Sequence, residues 1–334
     1  MSNQDERNVT LDIAKGIAII LMVIGHCYST NNAVLTMIYG FHMPAFFMIS
    51  GIIFGMKLQS DENYKFNVSH IAVNFLRPYL KYSTLFALFL FMLKMVGREE
   101  NLARIGAGYV WNIISLKGVS ALWYLPCILL TELIFIFVNK FCKRLLVPIS
   151  VGAYLIALCI KVKSDGELIV LWRSFVGFFY FMIGYCIPTW GNKRRINISN
   201  KRMAAIWGII TVLYVILSIK NGMVTLVALR FNNPLLYTVN AILGCVALLL
   251  LSELLSTRAH TWCVNVLIGV GRKTLYILGI HMFVVEMIRL VDYKLFGNTL
   301  NKLGVFEGIV FGSIVCSVLY GLYVVNRKIK KREF

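Results

Sequence analysis

Ten long apolar runs dominate this chain, and they constrain its fold more than any other feature. A transmembrane helix needs about 20 largely apolar residues, because its backbone polar groups must all be satisfied inside the bilayer. Such runs occupy residues 12–29, 37–56, 82–97, 121–138, 145–160, 171–189, 203–219, 235–254, 273–291 and 304–325. We therefore predict an all-α polytopic membrane helix bundle of about ten transmembrane helices. The stretch 262–270 is predicted either as an in-plane helix or as part of the ninth span.

The composition supports the same class. Hydrophobic residues make up 59% of the 334 residues and charged residues only 15%, whereas a soluble domain is about 45–50% apolar and about 25% charged. A water-soluble enzyme is thereby excluded. The net charge of +19 would indicate nucleic-acid binding only on a folded polar domain, and no segment is long and polar enough to form one. We predict the lipid bilayer as a partner and no nucleic acid.

Lysine and arginine set the predicted orientation, because cytoplasmic loops carry the excess of both residues. The uncharged turn 29–37 favours the outside, whereas the basic clusters at 193–202 and 327–332 favour the inside. We predict that both termini are cytoplasmic. No repeat, low-complexity tract or linker divides the sequence, so residues 1–334 are predicted to form a single membrane-embedded domain.

The cysteines and glycines indicate packing rather than chemistry. The eight cysteines include no Cys-x-x-Cys pair and no Cys/His spacing suited to zinc, so no metal site is predicted. Two sets of glycines are spaced four residues apart and share a helix face: Gly51 with Gly55, and Gly304 with Gly308 and Gly312. We interpret them as helix contacts inside the bundle, with a homo-oligomer interface as the alternative.

Three histidines lie within predicted spans, where an ionisable side chain is costly and usually faces a cavity or a partner. They are His26, His42 and His281. Lys15 precedes His26 by eleven residues, which is about 16 Å along a helix and nearly the same helix face. His42 follows the short turn 29–37 at a depth comparable to that of His26. We therefore predict that these two histidines face one cavity in the outer half of the membrane.

These residue types suit group transfer. A neutral imidazole can take a proton from a hydroxyl group, and a lysine on the same face can hold a phosphate that enters from the cytosol. The pattern indicates transfer from an anionic cytosolic donor to a hydroxyl group. The alternative for Lys15 is an interfacial anchor that pairs with Asp12, three residues earlier.

Six sequence blocks carry a resemblance to a known family. They read LDIAKGIAIILMVIGH (11–26), FHMPAFFMISG (41–51), FLRPYL (75–80), LWYLP (122–126), FFYFMIGY (178–185) and GRKTLYILGIHM (271–282). In this order, over nearly the whole chain, they resemble the acyltransferase family 3 membrane proteins and, within that family, the fucose 4-O-acetylase-like group. The resemblance implies a ten-helix O-acyltransferase of the inner (cytoplasmic) cell membrane that moves acetyl groups from cytoplasmic acetyl-CoA to hydroxyl groups of cell-surface carbohydrates.

The family's signature is a basic residue, ten intervening residues and a histidine, which correspond here to Lys15 and His26. Arginine is the commoner first residue, and a lysine ammonium lacks its two-pronged phosphate contact. The resemblance implies His26 as general base or as acetyl acceptor, Lys15 and Arg77 as donor-binding residues, and Trp123 and Tyr124 as substrate contacts. The alternatives are an inside anchor for Arg77 and an aromatic-belt position for Trp123 and Tyr124.

Two further histidines and two acids complete the candidates. His42 is predicted to orient the acceptor or to share proton transfer, and His281 matches the family's late histidine. Glu132 and Glu286 lie within predicted spans, and either acid could orient an imidazole. We favour structural pairing with a basic group, such as Arg289 for Glu286.

The predicted partners are an acyl-CoA donor, with acetyl-CoA as the co-substrate, and a carbohydrate or lipid-linked glycan acceptor. Two alternatives remain open. The first is a transporter or lipid-linked glycan flippase whose intramembrane histidines and acids relay protons or bind substrate. The second keeps the family and changes the acyl group, for example to succinyl.

Overall fold

The computed structural model describes residues 8–28, 31–62, 64–160, 166–191, 199–297, 299–302 and 304–332. Within these ranges the chain is almost entirely helical, and its only β-type pairing is an isolated bridge between Thr225 and Arg230. The helices are α1 (Val9–Cys27), α2 (Ala33–Ser60), α3 (Val68–Val96), α4 (Leu102–Ile114), α5 (Tyr124–Cys142), α6 (Leu146–Cys159), α7 (Ile169–Gly191), α8 (Asn200–Asn221), α9 (Pro234–Ser256), α10 (Trp262–Gly271), α11 (Thr274–Phe296) and α12 (Val305–Arg332).

Nine segments of the described chain are long and apolar enough to cross a membrane. Eight of them lie in α1, α2, α3, α7, α8, α9, α11 and α12. The remaining one, Ser120–Cys159, contains both α5 and α6, which correspond to predicted spans four and five. With 14 residues, α6 is shorter than the usual bilayer crossing. The predicted all-α polytopic bundle is confirmed, and the nine segments found among the described residues agree with a prediction of about ten spans.

Three helices refine the predicted boundaries. Of the two interpretations of residues 262–270, the separate short helix is the observed one, α10. The third span begins fourteen residues earlier than predicted, since Asn67 caps α3 by accepting a hydrogen bond from the His70 amide (2.9 Å). Arg77 therefore lies inside α3 and not before it. Helix α4 was not predicted, because its 13 residues form no long apolar run, and none of them is buried.

The orientation prediction rests partly on residues outside the described ranges. These are 29–30, in the predicted outer turn, and 192–198, in one of the basic clusters. The side chains of 324–332, which hold the other basic cluster, also lie outside the description. Cytoplasmic placement of both termini stays a prediction.

The chain divides into two compact units. The first takes in residues 1–45, 197–224 and 232–334, and the second takes in 46–196 and 225–231. In the first unit α1 is central, since α9, α10, α11 and α12 all pack against it. In the second unit α7 packs against α5 and α6, and α3 packs against α4 and α5.

Glycines allow close helix contacts within each unit. In the second unit, Gly51 and Gly55 of α2 lie against the backbone of α7. In the first unit, Gly308 and Gly312 of α12 lie against the C-terminal turn of α1 and the residue that follows it. These four glycines confirm the interpretation as packing inside the bundle. Gly304 makes no such helix contact, because its nearest neighbour is Glu307 of the same chain segment.

Candidate active site

Both residues of the predicted Lys15 and His26 pair lie on one uninterrupted helix, α1. Asn8 caps its N-terminus by accepting a hydrogen bond from the Leu11 amide (3.2 Å), and the helix continues to Cys27. Lys15 and His26 are therefore separated by about 16 Å along the axis and lie within about 20° of the same face. The Lys15 side chain is 24% exposed.

Two glycines allow α1 and α10 to cross in direct backbone contact. A Cβ on Gly16 would collide with the Leu267 carbonyl of α10, and a Cβ on Gly271 would collide with the Asp12 carbonyl of α1. Alanine at either position would therefore force the helices apart. The crossing brings the N-terminal half of α1 next to Arg272, the residue that follows α10.

Asp12 pairs with two cations at this crossing. Its Oδ1 lies 3.3 Å from Nζ of Lys15, its Oδ2 lies 3.0 Å from Nε of Arg272, and its side chain is only 7% exposed. The pairing of Lys15 with Asp12, considered above as the alternative, is present. Two cations share this one carboxylate, so the three side chains together carry a net positive charge. Arg272 was not among the predicted site residues, although its place in a Gly-Arg-Lys turn of a family block was an available signal.

His26 and His281 form a second cluster, with ring centroids 5.2 Å apart. His281 is fully buried, and its Nδ1 lies 3.1 Å from the carbonyl oxygen of Ile277 and 3.0 Å from that of Leu278. Carbonyl oxygens only accept hydrogen bonds, so Nδ1 carries the hydrogen and Nε2 presents a lone pair. Among the residues that the structure describes, Nε2 has no hydrogen-bond partner. His281 therefore offers a buried acceptor next to His26.

Tyr39 and His42 extend this cluster onto α2. His42 is buried, and its Nδ1 donates to the carbonyl oxygen of Ile38, one turn earlier (2.7 Å). The centroid of the Tyr39 ring lies 5.2 Å from that of His42 and 6.5 Å from that of His26. The rings of the three predicted histidines thus belong to one set of aromatic contacts. Sequence reasoning missed Tyr39, although its spacing of three residues from His42 on one helix was a usable signal.

Arg289 connects α11 to the C-terminal end of α1. Its Nη2 donates a hydrogen bond to the carbonyl oxygen of His26 (3.1 Å), and its Nη1 lies 3.5 Å from Oε1 of Glu286. This is the pairing of Glu286 that the sequence analysis favoured. The segment 272–296, which contains α11, therefore contacts α1 at two positions. Arg272 pairs with Asp12 near the start of α1, and Arg289 bonds to His26 near its end.

The remaining candidates lie in the second unit. Glu132 is buried and accepts a hydrogen bond from Oγ of Ser50 (2.6 Å). Tyr124 packs against Phe47, with ring centroids 5.2 Å apart. Arg77 is exposed on α3. The roles assigned to these residues stay predictions.

Trp123 is buried and lies next to a buried arginine. The guanidinium carbon of Arg173 lies 5.1 Å from the centroid of the indole ring, and Trp123 is only 7% exposed. Nε of Arg173 donates to the carbonyl oxygen of Val227 (2.8 Å), which helps to offset the cost of a cation inside a membrane helix. One face of the indole ring is therefore used by a cation–π contact. Substrate contact by Trp123 stays a prediction.

A comparison with known families decides the class of the protein. The family model of the acyltransferase domain, Acyl_transf_3, matches residues 8–322. This chain belongs to that acyltransferase family. Membership implies acyltransferase activity in general, and it favours an enzyme over the transporter alternative. No curated protein and no solved structure matches the chain.

In this acyltransferase, α1 contributes Asp12 and Lys15 to one cluster and His26 to the other. The cluster at Asp12 supplies a net positive charge that suits a phosphate. The cluster at His26 supplies imidazoles, one of which is fixed as a hydrogen-bond acceptor. Within the described part of the chain, no three histidine, cysteine, aspartate or glutamate side chains stand close enough together to hold a metal ion.

Proposed function

We propose that this acyltransferase moves an acetyl group from cytoplasmic acetyl-CoA to a hydroxyl group of a cell-surface carbohydrate. The observation that carries the proposal is the position of His26, whose ring centroid lies 5.2 Å from that of His281 and which lies on the same helix as Lys15. Family membership supports acyl transfer, and the resemblance to the fucose 4-O-acetylase-like group supports acetyl as the acyl group. The proposal includes a single membrane-embedded domain in the inner membrane with both termini cytoplasmic.

In the proposed reaction, His26 is the general base. Its ring takes the proton of the acceptor hydroxyl while the hydroxyl oxygen attacks the thioester carbonyl. The new C–O bond forms, the C–S bond breaks, and the CoA thiolate leaves and receives the proton from His26. His281 is a positioning residue, because its Nε2 can accept the hydrogen on the other nitrogen of His26 and so fix the reactive tautomer. Such hydrogen bonds tighten when substrate binds.

A second route uses His26 as an acetyl carrier. The imidazole attacks the thioester carbonyl, a C–N bond forms, the C–S bond breaks and the CoA thiolate leaves. The acceptor hydroxyl oxygen then attacks the acetyl carbon and the C–N bond breaks. The hydroxyl proton passes to the released ring nitrogen of His26 and from there to the thiolate. This route suits a donor and an acceptor on opposite sides of the membrane. His281 has the same task in both routes, since it accepts the hydrogen of the His26 nitrogen that does not react.

Lys15 is the proposed phosphate contact for the donor. Because Asp12 also pairs with Arg272, Arg272 can retain this carboxylate while Lys15 turns to a phosphate. A buried carboxylate that lost its single partner would carry a larger penalty. On charge alone, we also propose Arg77 as a phosphate contact.

The test measures the release of free CoA from acetyl-CoA by the purified full-length protein with and without a glycan acceptor. We expect acceptor-dependent release by the wild type and a loss of about 1000-fold in His26→Ala. Gly208→Ala is the matched control, since open space surrounds this position on α8. A His26→Ala variant that is recovered from the membrane in normal amount and keeps full activity would overturn the central assignment.

Rapid quenching with labelled donor separates the two routes. Label on His26 in the absence of acceptor supports the acetyl-histidine route. Unlabelled protein at times shorter than one turnover supports direct transfer.

A further inference from the structure

An apolar cavity of about 300 Å³ opens in the first unit beside the crossing of α1 and α10. Its walls come from α1, α10, α11 and α12. On α1 the cavity extends from Ile19 to Val23, and on α12 it extends from Cys316 to Tyr323, about 6 Å and about 10 Å along the two helices. Its shape is therefore a slot that follows the helix axes.

The wall of this slot is almost entirely hydrocarbon, with one cation at an end. Lys273 lies there, with Nζ 5.3 Å from the centroid of the Tyr323 ring. No carboxylate of the described residues lies within ion-pair distance of Lys273. The Ser317 hydroxyl, which also lines the slot, donates to the Ser313 carbonyl of its own helix (2.9 Å). Lys273 is thus the charged group that a ligand in the slot would meet.

The slot is open at the surface of the protein. Trp262 is 77% exposed and Tyr320 is 43% exposed, and both line it. Tryptophan and tyrosine are enriched at the level of the lipid headgroups, where one side of the ring is apolar and the other is wet. A membrane helix face of this composition meets lipid molecules more readily than solutes from the cytosol.

We propose that this slot binds an anionic glycerophospholipid, with an acyl chain between the four helices and its phosphate on Lys273. Lys273 complements the negative charge of the phosphate at one end of the slot, and the hydrocarbon wall along the rest complements the acyl chain. The pantetheine arm of a CoA donor suits the slot less well, because its amide groups would lose water without gaining hydrogen bonds from this wall. The inference does not depend on which acyl group the enzyme transfers.

A lipid at this position would lie about one helical turn from the histidine cluster. Val23 precedes His26 by three residues, and Ile277, which also lines the slot, precedes His281 by four. The carbonyl oxygen of Ile277 is one of the two that fix the tautomer of His281. The bound acyl chain would pack against α1 at Val23 and against α11 at Ile277. These two positions lie one helical turn before His26 and His281.

Native mass spectrometry of the full-length protein in detergent tests the proposal, with phosphatidylglycerol and phosphatidylcholine titrated separately. We expect the wild type to bind one phosphatidylglycerol more tightly than phosphatidylcholine. Lys273→Gln should weaken phosphatidylglycerol binding about fivefold and leave phosphatidylcholine binding unchanged. Gly269→Leu should weaken both about tenfold, because Gly269 lines the slot and a side chain there would extend into open space.

Gly208→Leu is the matched control, since Gly208 also borders open space but lies on α8, away from the slot. Equal affinity of the wild type for the two lipids overturns the proposal. So does phosphatidylglycerol binding that neither cavity variant weakens. Displacement of bound phosphatidylglycerol by equimolar CoA also overturns it and assigns the slot to the donor. If Gly269→Leu is not recovered from the membrane, the exposed Lys273→Gln variant decides alone.

Discussion

His26 and His281 lie 255 residues apart in the sequence, and their ring centroids lie 5.2 Å apart in the structure. His281 is fixed by two carbonyl oxygens, and no residue that the structure describes donates a hydrogen bond to its Nε2. A buried acceptor without a partner is unfavourable unless a group arrives to use it. In the proposed reaction, Nε2 of His281 accepts the hydrogen of the His26 nitrogen that does not react. This hydrogen bond keeps His26 in the one tautomer that proton transfer requires.

Replacing His281 by alanine should therefore lower kcat about a hundredfold and leave the KM for acetyl-CoA unchanged. His281→Gln should recover part of the loss, because its amide oxygen can accept a hydrogen bond. Steady-state kinetics with the donor varied provide the measurement. An increase in KM with unchanged kcat would contradict the positioning role.

Lys15→Met should raise the KM for acetyl-CoA about tenfold, because a charge-assisted contact to phosphate is lost. The effect on kcat should stay below about twofold. Lys15→Arg is the matched control, and it should retain donor binding because arginine is the commoner residue at this family position. Equal KM values for Lys15→Met and the wild type would remove Lys15 from the donor site.

Arg272→Gln should also raise the KM for acetyl-CoA, although by less than Lys15→Met. Without Arg272, Asp12 has only Lys15 as an ion-pair partner among the described contacts, so Lys15 is less available to the donor. The same kinetic assay provides the measurement. A lower KM in Arg272→Gln would show that Asp12 and the donor phosphate do not compete for Lys15.

Gly16→Ala should destabilise the protein by about 1–3 kcal/mol, since the added methyl group meets the Leu267 carbonyl at the helix crossing. The midpoint of thermal unfolding in detergent measures the effect. Gly152→Ala is the control, because a Cβ at this position on α6 meets open space, and alanine is the better helix former. Similar midpoints for the two variants would show that the crossing tolerates a wider separation.

Arg289→Met should lower the free energy of unfolding by about 1–2 kcal/mol, because the carbonyl of His26 and the carboxylate of Glu286 each lose a partner. Glu286→Gln removes the charge on the other side of the pair. If the two residues interact, the double variant should lose less than the sum of the single losses. Additive losses would mean that the ion pair contributes no coupling energy.

Glu132→Gln should keep acetyl transfer within about twofold of the wild type, because the amide oxygen can still accept the hydrogen bond from Ser50. The CoA-release assay measures this. A loss of about a hundredfold would instead make Glu132 a catalytic acid or base.

The features that the sequence could supply are those that act within one helix or between neighbours. Apolar run length was sufficient for α1, and the helical period placed Lys15 and His26 on one face. The i, i+3 spacing likewise indicated the pairing of Glu286 with Arg289. The first half of α3 was not predicted, because it contains polar and charged residues that end an apolar run. A capped helix can continue through such residues.

Contacts between distant segments were the features that the sequence could not supply. Nothing local to His281 reveals that its ring meets His26, since this depends on how α11 packs on α1. The same holds for Arg272, whose partner Asp12 is reached only because Gly16 and Gly271 remove side chains from the crossing. The buried position of Arg173 beside Trp123 was also missed, because a lone arginine in an apolar run carries no signal of its partner.

The continuity of α1 gives the proposed donor a length requirement. Lys15 and His26 belong to one continuous helix, so the separation of their Cα atoms along its axis is fixed at about 16 Å by eleven helical rises. On the proposed roles, α1 acts as a molecular ruler: a carrier with a shorter arm between phosphate and thioester could reach one of the two residues and miss the other. Selectivity for the carrier would then reside in the spacing of a single helix and not in the shape of a pocket.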